Sequence, residues 1–114
     1  MVENSLISKR LDAMIQSFNS ETVRWVVGKG KKLVDDGKLS QERYDELLEK
    51  LLLAEMEKNM IAGELESSPL TVGELANRLR LPPKLVLRRL ISMRRWGAVA
   101  VLGEKDHELL FRLS

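Results

Sequence analysis

The cations between residues 82 and 97, in the stretch PPKLVLRRLISMRRWG, are the side chains of this sequence best suited to binding chemistry. The stretch contains four arginines and one lysine among leucines, directly after two prolines. Arginine and lysine hold phosphate groups through charge-assisted hydrogen bonds. The same side chains also form the solvated face of many core helices. The stretch therefore indicates either a surface that binds a polyanion or the ordinary solvent-exposed face of a core helix.

The distribution of charge favours the first interpretation. The chain of 114 residues has a formal net charge of +2. Residues 1–68 carry 10 Lys/Arg against 13 Asp/Glu, a net charge of −3, whereas residues 69–114 carry 9 against 4, a net charge of +5. A polyanionic partner is therefore expected for the C-terminal part of the chain.

Two other clusters of charged residues lack the features of a phosphate-binding loop or of a catalytic carboxylate site. The segment GKGKK, residues 28–32, has neither the spacing nor the Ser/Thr of a P-loop, and it follows a helical valine pattern. The acidic residues between 42 and 49 share one helix with Arg43 and Lys50, the usual solvent-facing partners of such carboxylates. Because no nucleophile, base and oxyanion-stabilising group can be assembled, we expect no catalytic residues and no enzyme activity.

Composition excludes further classes of function. The chain has no cysteine and a single histidine, His107, so no metal site and no cofactor are predicted. No apolar stretch approaches the roughly 20 residues that a membrane-spanning helix requires. No basic segment followed by a long apolar run stands near the N-terminus. The expectation is a cytoplasmic protein without a membrane partner.

Residues 1–50 are predicted to form a helical arm that dimerises. A helix over residues 4–18 carries a heptad-like apolar stripe. A second helix is expected between Ser20 and Asp36, and a third, long and leucine-rich, after Ser40. The stripe is formed by Ile7, Leu11, Met14 and Phe18. The same stripe is equally consistent with packing against its own chain, so a homodimer is one of two expectations.

Residues 51–114 are predicted to form a second domain with shorter elements. Thr71 and Glu74 form a capping box at the start of a helix, which the prolines after Leu81 end. A further helix is expected over residues 83–96, and two strands, AVAVL and ELLFRL, flank the turn GEKDH. The fold class is therefore mainly α with a small β-hairpin.

Residues 56–114 resemble a winged-helix domain. The matching features are a helix ending in Ile61 and Leu65, a short extended piece at residues 69–70, a T-x-x-E-L-A helix opening, a glycine-terminated helix and a two-stranded wing. The resemblance implies a DNA-binding transcription regulator whose recognition helix, residues 83–96, enters the major groove of double-stranded DNA. Winged helices also serve as protein-interaction modules without nucleic acid, and this is the alternative.

The predicted recognition helix separates its faces at 100° per residue. Val86, Leu90 and Met93 fall on the side that packs on the preceding helix, and Leu85 and Ile91 flank the opposite stripe. Arg89 and Arg94 are expected nearer the packed side, and Trp96 is expected to contact the core or a second subunit. Carried over from the family, the DNA-contact candidates are Lys84, Arg88, Ser92 and Arg95.

The wing departs from the family pattern. Wings that bind DNA commonly present Lys or Arg at the tip, whereas GEKDHE offers Lys105 among three carboxylates. The wing is therefore poorly suited to phosphate, which favours the protein-interaction alternative.

Overall fold

The computed structural model describes the backbone of residues 2–114 and the side chains of residues 6–114. The described chain is mainly helical, with five helices and a small three-stranded antiparallel sheet, as the sequence predicts at that level. The chain divides into two compact units, residues 1–57 and 58–114. Within the described part, no helix is both long and apolar enough to cross a bilayer.

Three helices build the N-terminal unit. They are α1 (Val2–Ser17), α2 (Glu21–Asp35) and α3 (Gln41–Leu65), and α3 ends in the second unit. Ser20 caps α2 by accepting a hydrogen bond from the Val23 N–H, and Ser40 caps α3 by accepting one from the Arg43 N–H at 3.1 Å. These polar residues satisfy N–H groups that have no partner within the helix, which explains why the helices begin there. The long helix α3 runs without a break from Gln41 to Leu65.

The N-terminal unit has a small core. Its buried apolar residues, among residues 6–57, are Leu6, Ala13 and Val23. Gly30 is buried as well, because the Tyr44 ring of α3 lies against it. The face of α1 that is buried therefore consists of small residues together with Leu6, and the heptad-like stripe lies elsewhere.

The C-terminal unit contains the end of α3 and the remaining elements. These are β1 (Leu70–Thr71), α4 (Val72–Leu79), α5 (Pro83–Arg95), β2 (Val99–Lys105) and β3 (Glu108–Leu113). The sheet has the order β1-β3-β2 and all pairs are antiparallel. The central strand β3 pairs Phe111 with Leu70 on one side and with Val101 on the other.

A single core joins these elements. Its fully buried members come from every helix and strand of the unit, from Ile61 of α3 to Phe111 of β3. Leu75, Leu79, Val86 and Leu90 of α4 and α5 are each completely buried. Burial of a side chain of this size contributes about 1.5–3 kcal/mol, so this helix pair and the sheet hold each other in place.

The hairpin is longer than the sequence indicates. The strand predicted as AVAVL continues through Gly103 to Lys105, with a bulge at Leu102. Only Asp106 and His107 form the turn, both with positive φ, the conformation of the tight two-residue turns that match strand twist. Leu109 is two residues before buried Phe111, so both side chains lie on the same face of β3. Leu109 is nevertheless half exposed, because it lies near the tip and beyond the core.

Candidate nucleic-acid interface

The position of α5 is fixed by α4 and by the turn between them. Thr71 accepts a hydrogen bond from the Glu74 N–H, and the Glu74 carboxylate accepts one from the Thr71 N–H, so the predicted capping box is confirmed. At the other end of α4, Arg80 adopts the left-handed conformation and the Leu81 N–H donates to the Ala76 carbonyl at 3.1 Å. Pro82 and Pro83 then start α5 without requiring a side-chain cap.

The buried side and the C-terminus of α5 follow the sequence expectation. Val86, Leu90 and Met93 face the core. Gly97, with φ of +80°, ends the helix: its N–H donates to the Arg94 carbonyl, and the Ala98 N–H donates to the Met93 carbonyl at 2.8 Å. These two bonds define a Schellman motif, which only a residue tolerant of positive φ completes without strain.

The opposite side of α5 carries the predicted contact residues. Lys84, Arg88 and Arg95 are all exposed, and they lie within about 40° of one another around the helix axis. Ser92 is only partly exposed, at the edge of this face. The structure therefore brings three of the four candidates together on the outer face and leaves the fourth at its border.

Arg94 and Leu85 differ from the sequence expectation. Arg94 is exposed, although the sequence predicts it nearer the packed side. Trp96 is 81% exposed, which excludes the core contact, whereas a contact with a second subunit stays a prediction. Leu87 and Ile91, one helical turn apart, are both exposed, whereas Leu85 is half-buried. The exposure of Ile91 agrees with the prediction, and Leu87 lies one turn before it on the same side of the helix.

The electrostatic character of this face comes from an uninterrupted basic segment. Between Glu74 and Glu104 the sequence contains no carboxylate. It contains seven cations in that interval: Arg78, Arg80, Lys84, Arg88, Arg89, Arg94 and Arg95. Arg78 is paired with Glu64, 3.7 Å away, and Arg80 and Arg89 also have partners.

Four cations of the segment are available for a ligand. Lys84, Arg88, Arg94 and Arg95 form no ion pair and no side-chain hydrogen bond among the residues whose side chains are described. All four belong to the exposed part of α5. Lys84, Arg88 and Arg95 share the outer face, and Arg94 lies about 100° around the helix axis from Arg95. The exposed surface of α5 formed by these four residues is called the α5 cationic face below. Such a concentration of unneutralised charge raises the local concentration of anions.

The wing tip is charged differently. The Lys105 ammonium lies 3.0 Å from the Glu74 carboxylate, and the Glu108 carboxylate accepts a hydrogen bond from the Gly73 N–H at 3.3 Å. The hydrogen bond from Lys105, together with that from the Thr71 N–H, holds the pKa of Glu74 below its usual value. The only lysine of the hairpin is therefore occupied within the chain, and the exposed tip presents Glu104 and Asp106.

Among the described residues, no group of three or more His, Cys, Asp or Glu side chains could hold a metal ion. In comparisons with known proteins, no family model, no curated protein and no solved structure matches the chain.

Proposed function

We propose that the C-terminal unit is a winged-helix DNA-binding module, and that the protein regulates transcription by docking α5 in the major groove of double-stranded DNA. The α5 cationic face supports this proposal most directly. Four cations without internal partners converge on one helix, in a segment of chain without a single carboxylate. Lys84, Arg88 and Arg95 would hold the phosphates or reach base edges, and Ser92 would act at the border of the contact.

The arrangement of elements also supports the proposal. The end of α3, β1, α4, α5 and the hairpin follow one another in the order that the winged-helix resemblance implies. The helix that would read DNA is held rigidly, because its inner side is completely buried at Val86 and Leu90 and both its ends are fixed. A rigid helix with a free cationic side loses little conformational entropy on docking, which favours affinity.

Direct titration tests the proposal. A fluorescently labelled DNA duplex of mixed sequence is titrated with the full chain at several salt concentrations. Each phosphate contact releases condensed counterions, so the logarithm of the affinity should fall linearly with the logarithm of salt, with a slope of about −0.9 per contact. We expect a slope of roughly −3 to −4 from the four free cations. Absence of binding at low salt would remove the proposal.

A second candidate function is docking on a protein partner without nucleic acid. It is favoured by the exposed apolar pair Leu87 and Ile91 of α5 and by exposed Trp96 directly after this helix. The internal pairing of Lys105 favours it as well, because this lysine is the only lysine or arginine of the tip segment GEKDHE and is already paired with Glu74. Replacing Leu87 and Ile91 by serine distinguishes DNA binding from protein binding. The affinity for DNA, which depends on the cations, should change by less than about threefold, whereas binding to a protein partner should be lost.

A further inference from the structure

We propose that a second copy of this chain covers the apolar face of α1 together with the groove between α1 and α3. The proposal concerns the N-terminal unit alone and does not depend on what α5 binds. It assigns this unit an antiparallel, two-fold interface in which α1 of each copy lies in the groove of the other.

The first observation is an apolar stripe that the chain itself leaves uncovered. Its five large side chains are each between 45% and 63% exposed. They are Ile7, Leu11, Met14, Ile15 and Phe18. Four of them recur every three to four residues and Ile15 lies beside Met14, so the five form one continuous band along α1. The buried residues Ala13 and Ser17 lie on the other side of the helix. The stripe is thus a surface and not part of the unit's own core.

The second observation is a hollow beside the stripe. A groove of about 390 Å³ is lined by Met14 and Phe18 of α1 and by Leu48, Leu52, Leu53 and Met56 of α3. It begins at the C-terminal half of the stripe. The N-terminal half, Ile7 and Leu11, stands exposed outside it. Protruding and concave apolar surfaces therefore occur on one patch, which is what a self-complementary two-fold contact requires.

The third observation is that the N-terminal unit buries few apolar side chains of its own. Among residues 6–114, three of the fifteen buried apolar residues belong to the N-terminal unit and twelve to the C-terminal one. Conversely, nine of the fourteen exposed large apolar side chains belong to the N-terminal unit. Units of this size are marginally stable even with a full core. A partner surface that buries the stripe would supply the missing apolar contact, as in obligate dimers.

Charge complementarity selects a second copy as the occupant. Asp45 and Glu49 form an acidic rim on the groove, and Arg10 stands beside Leu11 on α1. Arg10 and Glu49 are exposed and form no ion pair among the residues whose side chains are described. In an antiparallel pair, Leu11 of one copy enters the groove of the other. Arg10 of the partner subunit then reaches the acidic rim, and the symmetry makes this contact twice.

Sedimentation of the full chain without DNA tests the assembly. We expect a species of twice the 13.0 kDa monomer mass at about 10 µM. Leu11→Glu should weaken the dimer about 100-fold or more, because a carboxylate would be buried without a partner. Gln16→Glu adds the same charge on the same helix, at an exposed position away from the stripe, and should change the dimer constant by less than about twofold. A wild-type chain that stays monomeric at about 100 µM would overturn the proposal.

A charge exchange tests the register and keeps the proposal falsifiable even if Leu11→Glu fails to fold. Arg10→Glu and Glu49→Arg should each weaken dimerisation by about three- to tenfold. The double variant should return to within about twofold of the wild type, since the same pair is restored with opposite polarity. Strictly additive weakening in the double variant would show that Arg10 does not meet the rim of another copy, and it would overturn the proposed interface.

Discussion

The ring of Tyr44 lies directly on Gly30, where α3 meets α2 in the N-terminal unit. A β-carbon built on Gly30 would stand 2.6 Å from Cδ2 of the ring and closer still to Cε2. The phenol hydroxyl of Tyr44 donates a hydrogen bond to the Val27 carbonyl at 3.3 Å. The glycine is therefore required by its neighbour and not by its own backbone conformation, which is helical.

This contact predicts opposite effects of alanine at two glycines of one helix. Gly30→Ala should lower the free energy of unfolding by about 1–3 kcal/mol, because the Tyr44 ring must move. Gly28→Ala should raise it by up to about 1 kcal/mol, since nothing lies within 4 Å of the added methyl and alanine favours the helix. Urea unfolding followed by circular dichroism measures both. Equal effects of the two substitutions would contradict the packing of Tyr44 on Gly30.

The core of the C-terminal unit predicts different effects of two alanine substitutions on the strand β3. Phe111→Ala should cost about 3–5 kcal/mol, because it opens a cavity between the sheet and the helices. Leu109→Ala, two residues earlier, should cost less than about 1 kcal/mol, since Leu109 is already half exposed. Chemical unfolding of the two variants gives the comparison. A cost at Leu109 as large as that at Phe111 would mean that the hairpin tip is buried in solution.

The link between Lys105 and Glu74 predicts a pH-dependent contribution to stability. Because folding lowers the pKa of Glu74, its contribution is present above the usual value near 4.5 and is lost as the pH falls through the folded-state value. Lys105→Met should raise the pKa of folded Glu74 and destabilise the protein at neutral pH but not in acid. Carboxyl NMR titration and unfolding at several pH values measure the two effects.

A control for this experiment is Lys50→Met, which removes an exposed lysine without an ion pair among the described residues. It should leave the pKa of Glu74 unchanged. If Lys105→Met has no more effect on that pKa than Lys50→Met, the cross-link from the hairpin to α4 does not form in solution.

Local signals in the sequence predicted most elements of the C-terminal unit. The Thr71 and Glu74 capping box, the two prolines and Gly97 each satisfy a local backbone requirement, so helices begin and end where these residues stand. The predicted fold class, mainly helical with a small antiparallel sheet, is confirmed, because such local signals largely determine where helices and strands form. The inner face of α5 followed from its 3.6-residue period, because Val86, Leu90 and Met93 recur at that spacing.

Features that depend on distant neighbours were not predictable in the same way. The partner of Lys105 is 31 residues away, so nothing in the segment GEKDHE shows that its lysine is already occupied. The exposure of Trp96 and Arg94 depends on where the core ends, not on their own type. The length of the hairpin follows from the Asp106 and His107 turn, in which histidine stands where such turns usually have glycine.

The central claim, that the α5 cationic face binds DNA, is tested most directly by comparing two double variants in the same salt titration. Arg88→Ala with Arg95→Ala should weaken duplex binding at least tenfold and reduce the salt slope by about 2, with the melting temperature unchanged. Lys31→Ala with Lys32→Ala removes the same charge from exposed positions on α2 and should change affinity by less than about threefold. Equal affinities of the first variant and the wild type would contradict the account.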